Sequence, residues 1–370
     1  MKITNGQPPR EGLRVVVAAG GTGGHVFPGI AVAQEVERRG GEVLFLGTHE
    51  GIEADEVPRA GFRFEKLRVA KLKRVSLKKR LQALYLAPTA VVEAVKKIRG
   101  FAPDAVVGAG GYVSGPSVLA ARLLGIPSLI LEQNSIPGVT NRVLSRITDR
   151  SVVAFQEALD YLPRSVNLGN PVRREIVEKL TSSPTKKSGK KLSLLVIGGS
   201  QGARALNDAM AKIAPVLGEI GLRVVHATGR SDLSWVKRAY ERCSVEARVS
   251  PFIRDMAEAY ADCDLVFCRA GATTIAELTL VGKPALLVPF PFAADDHQTA
   301  NAESLSRNGA AVSIPQGELT APRLIHELRR FASEPTYRGR MGDAMRALGR
   351  PDASKDVVEM LEKLRPGGSR

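Results

Sequence analysis

Three glycine-rich turns hold the residues of this sequence best suited to chemistry. Gly20-Gly21-Thr22-Gly23-Gly24-His25 follows the apolar run Leu13–Ala19, Gly108-Ala109-Gly110-Gly111-Tyr112 follows Asp104–Val107, and Gly198-Gly199-Ser200-Gln201-Gly202 follows Leu192–Ile197. Each run reads as a buried strand, and each turn leads into a stretch of helical periodicity. At such a junction the first N–H groups of the helix and the positive end of its dipole converge, which is where phosphate binds. Glycine lets the backbone come close to an anion because no Cβ intervenes. One such turn is as easily a tight connection with no ligand; three of them, spread over two α/β series, point to a phosphorylated ligand. They are not nicotinamide fingerprints, since Val26 and Val113 stand where the third glycine would fall, and no GxxxxGK[ST] loop occurs.

The elements that must position these turns follow from the alternation of apolar runs with amphipathic stretches. In the first half, strands are expected at Leu13–Ala19, Glu42–Leu46, Phe62–Leu67, Asp104–Val107 and Ser128–Leu131. Helices are expected at Pro28–Arg39, Gly51–Ala60, Val75–Arg99 (interrupted by Pro88) and Pro116–Leu124, where Pro116 suits a first helical turn. In the second half, strands are expected at Leu192–Ile197, Arg223–Ala227, Ala247–Phe252, Leu265–Cys268 and Ala285–Pro289. The helices between them are Ala203–Leu217, Ser231–Tyr240, Met256–Ala261, Thr273–Val281 and His297–Arg307, and Ser354–Leu364 closes the chain. This order predicts an α/β protein with parallel sheets and right-handed crossovers, in two doubly wound domains. The boundary falls near Gly169-Asn170-Pro171, and the loop-like Thr181–Lys191 precedes the second domain's first strand.

Composition narrows the class. A chain of 370 residues with ordinary apolar, glycine and proline contents is long enough for two cores. The formal net charge of +15 suits anionic partners such as nucleic acid, acidic headgroups or phosphorylated ligands, or reflects a basic host proteome. The odd set Cys243, Cys263 and Cys268 excludes a disulfide framework, and Cys263 and Cys268 lack the spacing or histidine partners of a zinc site. No apolar run approaches the ~18–20 residues needed to span a bilayer. Val15–Ala19 is too short for a signal segment, so a cytosolic protein is expected, with any membrane contact peripheral and from the cytoplasmic side.

Taken in order, GGTGGHVFPG (20–29), GAGGYVSGP (108–116), EQN (132–134), GNPVR (169–173), GGSQGA (198–203), RAGATTIAE (269–277) and DHQTANA (296–302) closely resemble the motifs of the MurG group of glycosyltransferase family 28. The resemblance covers residues 13–345, and the ordered set is far more specific than any single motif. It implies the GT-B architecture, two Rossmann-like domains facing across a cleft. It also implies inverting transfer of N-acetylglucosamine from UDP-N-acetylglucosamine to the C4 hydroxyl of the muramyl sugar of undecaprenyl-pyrophosphoryl-MurNAc-pentapeptide (lipid I), forming lipid II for peptidoglycan. It assigns residues 1–170 to acceptor and membrane binding, with a helix at 350–364 packing back on them, and residues 171–349 to UDP-N-acetylglucosamine.

The resemblance also distributes roles. Glu277 matches the acid that bonds the ribose hydroxyls, a carboxylate being able to accept from both members of a diol. Ile253 matches the position whose backbone recognises uracil, and Ser200 with the Ala272-Thr273-Thr274 turn matches the phosphate contacts. Gln298, beside His297, matches a donor-sugar contact, and Asn134, Arg173 and Thr22-Gly23-Gly24 match positions that complete the site. Each has a plainer alternative: Glu277 an exposed helix residue, Asn134 a loop cap, Arg173 a surface charge. For the displacement, helix N-termini and Arg173 can offset the charge of departing UDP. No metal ligands or cofactor are called for, as no DxD-like carboxylate pair sits at an evident strand end. His25 is the leading general base, because a neutral imidazole is available near pH 7; the alternative is that it positions the acceptor diphosphate or shapes its loop.

Lys66–Arg80 contains no acid and is followed by Leu81, Leu84, Tyr85 and Leu86, a pattern suited to an anionic membrane surface, or else a core-facing helix with a solvated basic face. Nucleic acid is not an expected partner, for want of a reader fold. Three other readings stay open: a different GT-B enzyme such as a glycolipid glycosyltransferase or a UDP-N-acetylglucosamine 2-epimerase, a sugar-nucleotide-binding regulator, and a basic RNA-binding protein. The intact set His25, Asn134, Glu277 and Gln298 speaks against the regulator.

Overall fold

A computed structural model describes residues 12–69, 77–182, 191–199 and 201–365, with the side chains of 77–87 and 180–182 outside that description. The chain forms two compact units, Met1–Gln133 with Pro137–Arg174 and Asp352–Arg370, and Asn134–Ile136 with Glu175–Pro351.

The first unit runs β1 (Arg14–Ala19), α1 (Gly23–Arg38), β2 (Glu42–Gly47), α2 (Glu53–Arg59), β3 (Arg63–Lys66), α3 (Leu77–Phe101), β4 (Ala105–Gly110), α4 (Ser114–Leu124), β5 (Ser128–Glu132), α5 (Val139–Leu144), β6 (Arg150–Val153) and β7 (Ser165–Asn167). Its seven strands are all parallel, in the order β3-β2-β1-β4-β5-β6-β7. Successive residues of β1 serve opposite faces, as the two-residue period of a strand requires. Val15, Val17 and Ala19 pack with α1, and Val16 and Ala18 pack with α3 and α4. That double burial is why β1 reads as an unbroken apolar run rather than an alternating one.

The second unit runs α6 (Arg174–Ser182), β8 (Leu192–Ile197), α7 (Arg204–Ile220), β9 (Leu222–Ala227), α8 (Leu233–Arg242), β10 (Ala247–Ser250), α9 (Met256–Asp262), β11 (Leu265–Cys268), α10 (Ala272–Val281), β12 (Ala285–Leu287), α11 (His297–Arg307), β13 (Ala311–Ser313), α12 (Ala321–Ser333) and α13 (Pro335–Ala347). Its six strands are again parallel, in the order β10-β9-β8-β11-β12-β13. Leu194 and Val196 of β8 pack under Met210, Ile213 and Leu217 of α7 and Leu324, Leu328 and Phe331 of α12. The last helix, α14 (Ala353–Leu364), returns to the first unit and buries Val357, Val358 and Leu361 in the α1 layer. At its rim Arg39, the residue that caps the end of α1, holds Glu362 at 3.0 Å.

The expected α/β class and two doubly wound sheets are present; the sheets have seven and six strands where five each were expected, and three expected helices differ in where they start or break. Helix α1 starts at Gly23 rather than Pro28, because the Thr22 carbonyl already accepts the N–H groups of His25 and Val26. Pro28 therefore lies inside α1, where only one helical bond is forgone. Helix α3 runs unbroken past Pro88, and the burial of Ala90, Ala94 and Ile98 against the sheet outweighs the proline's cost of about 3 kcal/mol. Helix α4 begins at Ser114, two residues before the expected start. Among the described residues no helix is long and apolar enough to cross a membrane.

Because Leu361 is fully buried between α14 and α1, Leu361→Ala is expected to lower the stability of the first unit by about 2–5 kcal/mol. Urea unfolding followed by circular dichroism checks this; an unchanged midpoint would mean that α14 contributes nothing to that core.

Candidate functional site

In both sheets the strand order reverses at one place, between β1 and β4 in the first unit and between β8 and β11 in the second. Ligands of open α/β sheets bind beyond the carboxyl ends of the strands at such a switch point. The glycine turns fall on these positions: Gly20–Gly24 leaves β1, Gly108–Gly111 ends β4, and Gly198–Gly202 leaves β8. Arg269-Ala270-Gly271, the start of another singled-out motif, leaves β11. In the helices that follow, α1, α4, α7 and α10, the N-cap residue makes no side-chain cap hydrogen bond among the described residues. Backbone carbonyls take some of their first N–H groups, such as His25 on Thr22 and Ser114 on Gly111, and helix starts without side-chain caps are where remaining N–H groups turn to water or a ligand.

The first switch point is built around His25. Its Nδ1 lies 3.2 Å from the carbonyl oxygen of Gly20. A carbonyl only accepts, so Nδ1 is the donor of this contact, and in the neutral ring Nε2 keeps the lone pair. The ring lies against Gly110 (φ +113), where a Cβ would run into it. Beneath, the buried Ser114 hydroxyl accepts the Gly110 N–H at 2.9 Å and donates to the Ala18 carbonyl at 3.0 Å, tying β4 to β1. Thr22 is exposed at the helix start, with Gly23 and Gly24 in its first turn. Arg173 stacks over Phe27 of α1, its guanidinium carbon 4.5 Å from the ring centroid. The GNPVR segment is therefore fixed beside the helix that carries His25, so Arg173 is more than a loose surface charge.

One amide of this turn is already engaged. Glu53 is fully buried, and its carboxylate accepts the Gly21 N–H (3.0 Å), the Thr48 N–H (3.0 Å) and the Thr48 hydroxyl (2.7 Å). The sequence reading missed Glu53, since a single acid on a short helix carries no signal of burial.

In the second unit, Ser200 lies outside the described residues. The rest of its turn is held from behind. Gly202 (φ +78) passes so close to the Thr228 carbonyl that a Cβ could not fit. Asn207 of α7 donates to that same carbonyl (2.9 Å) and to Asp232 (2.8 Å), and its own Oδ1 accepts from His226 Nε2 at 3.0 Å. His226 Nδ1 in turn accepts the Tyr240 hydroxyl at 2.8 Å. Arg204 closes the set on Asp232 at 3.1 Å. Every polar atom of the His226 ring is satisfied by the neutral form, and burial holds its pKa down at about 3.

The α10 side of this switch point holds most of the other expected residues. Ala272, Thr273 and Thr274 form the first turn of α10, and the buried Thr273 hydroxyl has no hydrogen-bond partner among the described residues. Glu277, one turn on, is buried rather than exposed, and its Oε2 accepts the hydroxyl of the fully buried Tyr260 at 2.9 Å. Ile253 lies half-buried in the loop after β10. Gln298, in the first turn of α11, accepts the Phe290 N–H at 3.0 Å, which fixes the loop after β12. In the EQN motif, Glu132 accepts from Gly138 and Asn141, and Gln133 donates to Ala109, so both are structural within the first unit. Asn134 belongs to the second unit and is held by Asn301 of α11 at 3.2 Å. Tyr260 and Asn301 escaped the sequence reading because each looks like an ordinary helix residue until its partner is known.

Cys243, Cys263 and Cys268 are all free thiols, and burial pushes Cys263 up to about 12. Among the described residues no cluster of three or more His, Cys, Asp or Glu side chains has the makings of a metal site.

Comparison with known proteins is consistent across sequence and structure. Residues 15–153 match the glycosyltransferase family 28 N-terminal domain, and residues 193–357 match the family's C-terminal domain. A protein of Anaeromyxobacter sp. (strain Fw109-5), named UDP-N-acetylglucosamine--N-acetylmuramyl-(pentapeptide) pyrophosphoryl-undecaprenol N-acetylglucosamine transferase, is 46% identical over 95% of this chain and 93% of its own. A protein of the same name from Syntrophus aciditrophicus (strain SB) is 45% identical over 94% of this chain and 97% of its own. The crystal structure of Acinetobacter baumannii MurG superposes with a TM-score of 0.78 at 33% identity, covering 95% of this chain and 99% of that one.

The His226 network has a pH signature. The unfolded chain takes up a proton on this histidine below about pH 6.5, while the folded chain does so only near 3. Stability from the neutral ring is therefore complete above pH 6.5 and is lost as pH falls, at a limiting slope of about 1.4 kcal/mol per unit. His226→Gln is expected to flatten the acid limb of the second unit's unfolding midpoint against pH. An equal slope in parent and variant would show that His226 is not the titrating group.

Proposed function

The chain belongs to glycosyltransferase family 28, and from that premise we propose that it transfers N-acetylglucosamine from UDP-N-acetylglucosamine to the muramyl C4 hydroxyl of lipid I, forming lipid II. What carries this reading is the near full-length match to transferases bearing that name. The second unit is assigned the donor, with Glu277 toward the ribose, the Ile253 backbone toward uracil, and Gln298 and Asn134 toward the sugar. The first unit is assigned the acceptor, with His25 toward its hydroxyl, while the Thr22-Gly23-Gly24 turn and Arg173 are assigned to completing the substrate site, Arg173 toward the charge of departing UDP.

The chemistry is a single displacement with inversion. The acceptor C4 oxygen forms a bond to C1 of N-acetylglucosamine, and the C1–oxygen bond to the diphosphate breaks with its electron pair leaving on UDP. The proton of the attacking hydroxyl passes to His25 Nε2, the nitrogen that the Gly20 carbonyl leaves with a lone pair. Charge developing on the departing diphosphate is met by the N–H groups at the starts of α7 and α10 and by the Thr273 hydroxyl, and Ser200 is assigned to the same phosphates by its motif alone. No step is assigned to a metal or cofactor.

The acceptor's polyprenyl chain stays in the bilayer, so we place the protein peripherally on the cytoplasmic face of the plasma membrane, against anionic lipid and without a nucleic-acid role. The basic stretch Lys66–Arg80 fits this; its side chains from Ala70 onward lie outside the described residues. A second feature supports it. Val139 and Val143, one turn apart on α5, are 65% and 55% exposed, with Arg142 on the same short helix and the exposed Arg146 in the turn that follows it. Apolar side chains among cations suit an anionic interface.

Radiolabelled UDP-N-acetylglucosamine with a short-chain lipid I analogue is expected to give an acceptor-dependent, β-1,4-linked disaccharide lipid. His25→Ala is expected to lower kcat by about 10²–10⁴-fold with UDP affinity unchanged. Donor binding without transfer would point to another acceptor, and near-parental turnover of the variant would remove His25 from the chemistry. In flotation assays, Val143→Asp with Arg146→Glu is expected to weaken binding to vesicles containing phosphatidylglycerol; parental binding would exclude α5 from the membrane face.

A further inference from the structure

The side chain of Asn301 on α11 is fully buried, and all its hydrogen-bonding capacity is spent on residues of the candidate site. Its Oδ1 accepts from both the backbone N–H and the hydroxyl of Ser135, each at 2.9 Å. Its Nδ2 donates to Asn134 Oδ1 at 3.2 Å and to the Ala270 carbonyl at 3.3 Å. Two of these partners are backbone groups that leave no choice of orientation: the Ser135 N–H only donates and the Ala270 carbonyl only accepts. They fix which end of the Asn301 amide is oxygen and which is nitrogen. That orientation then dictates the next amide. Asn134 must turn its oxygen to Asn301, so its Nδ2 is the end that carries donors into the half-exposed surroundings of this residue.

We propose that Asn301 is a positioning residue that sets the polarity of Asn134, making it a hydrogen-bond donor to an oxygen of the bound sugar or phosphate. The proposal rests on the reading of Asn134 as a ligand contact. Asn301 also links pieces that the ligand must find in register. Ala270 immediately precedes Gly271, the N-cap of α10, and Gln298 stands one helical turn before Asn301 on α11. One buried amide therefore joins Asn134, the start of α10 and the face of α11 that carries Gln298. An amide is the one uncharged side chain able to serve two donors and two acceptors at once. Aspartate, of the same shape, presents oxygen where Nδ2 stood and repels both the Ala270 carbonyl and Asn134 Oδ1, so Asn134 must flip or move.

The test is a double-mutant cycle between Asn301→Asp and Asn134→Ala, read as kcat and KM for the donor, with thermal midpoints recorded alongside. Asn301→Asp is expected to reduce kcat/KM on the order of tenfold to a hundredfold. In the Asn134→Ala background the same change is expected to cost less than about threefold, because its target is gone. A general structural role would give the same loss in both backgrounds, and that result overturns the proposal. Asn134→Asp tests it without touching Asn301. This variant keeps the bond to Asn301 Nδ2 and the parental midpoint but cannot donate, so it is expected to be at least as impaired as Asn134→Ala. Full activity in Asn134→Asp alone would overturn the donor assignment. Full activity in Asn134→Ala would instead defeat the reading of Asn134 as a ligand contact, a separate failure.

Discussion

Parallel strands cannot be joined by tight turns, and this constraint governs the rest of the molecule. Each strand must be followed by a crossover, and the crossovers of β1 and β8 and those of β4 and β11 cover opposite faces of their sheets. A gap in the layer above the strand ends follows wherever the order reverses. Backbone N–H groups at the helix starts are left there without internal partners. Both units of this chain place glycine turns at that gap, so the ligand-binding potential arises from topology first and from side chains second.

The polar residues under these turns then fix what the glycines leave loose. Glycine permits close approach but does not enforce a conformation, and its backbone entropy must be offset by contacts. Glu53 takes the Gly21 amide, and Ser114 ties Gly110 to β1. The Asn207–His226 pair secures Thr228 against Gly202. Asn301 fastens Asn134 and Ser135 to the entrance of α10. All are buried with their hydrogen bonds met by protein groups, which is the condition under which buried polar groups rigidify a site rather than weaken a core.

The legibility of the sequence varied with element length and with how far apart partners lie along the chain. Long buried strands such as β1 and β8 were readable, as were helices with sustained periodicity. Elements α5, β6, β7 and β13 were missed, because three to six residues carry too little pattern and are stabilised by pairing with distant strands. Helices α6, α12 and α13 were also passed over, α6 running into the expected loop at Thr181, although for α12 Thr320 before Ala321-Pro322, with Leu324, Leu328 and Phe331 at helical spacing, was a legible start signal. Among the candidate site residues, the glycine turns and His25 stand out by local motif, while Glu277, Asn134 and Gln298 are singled out only through the ordered set of motifs.

By itself the sequence determined the α/β class, the doubling of the sheet, the positions of the glycine turns and the family, because each is written in periodicity or in short contiguous motifs. Only the tertiary structure decided that β1/β4 and β8/β11 are the switch points, since strand order is a property of pairing between segments far apart in sequence. It also decided which nitrogen of His25 bears the lone pair, that Glu277 is buried against Tyr260, and that Asn301 governs Asn134. These last are facts about hydrogen-bond direction. The direction of a hydrogen bond depends on which donor and which acceptor the fold brings together, and no local pattern of residue types encodes it.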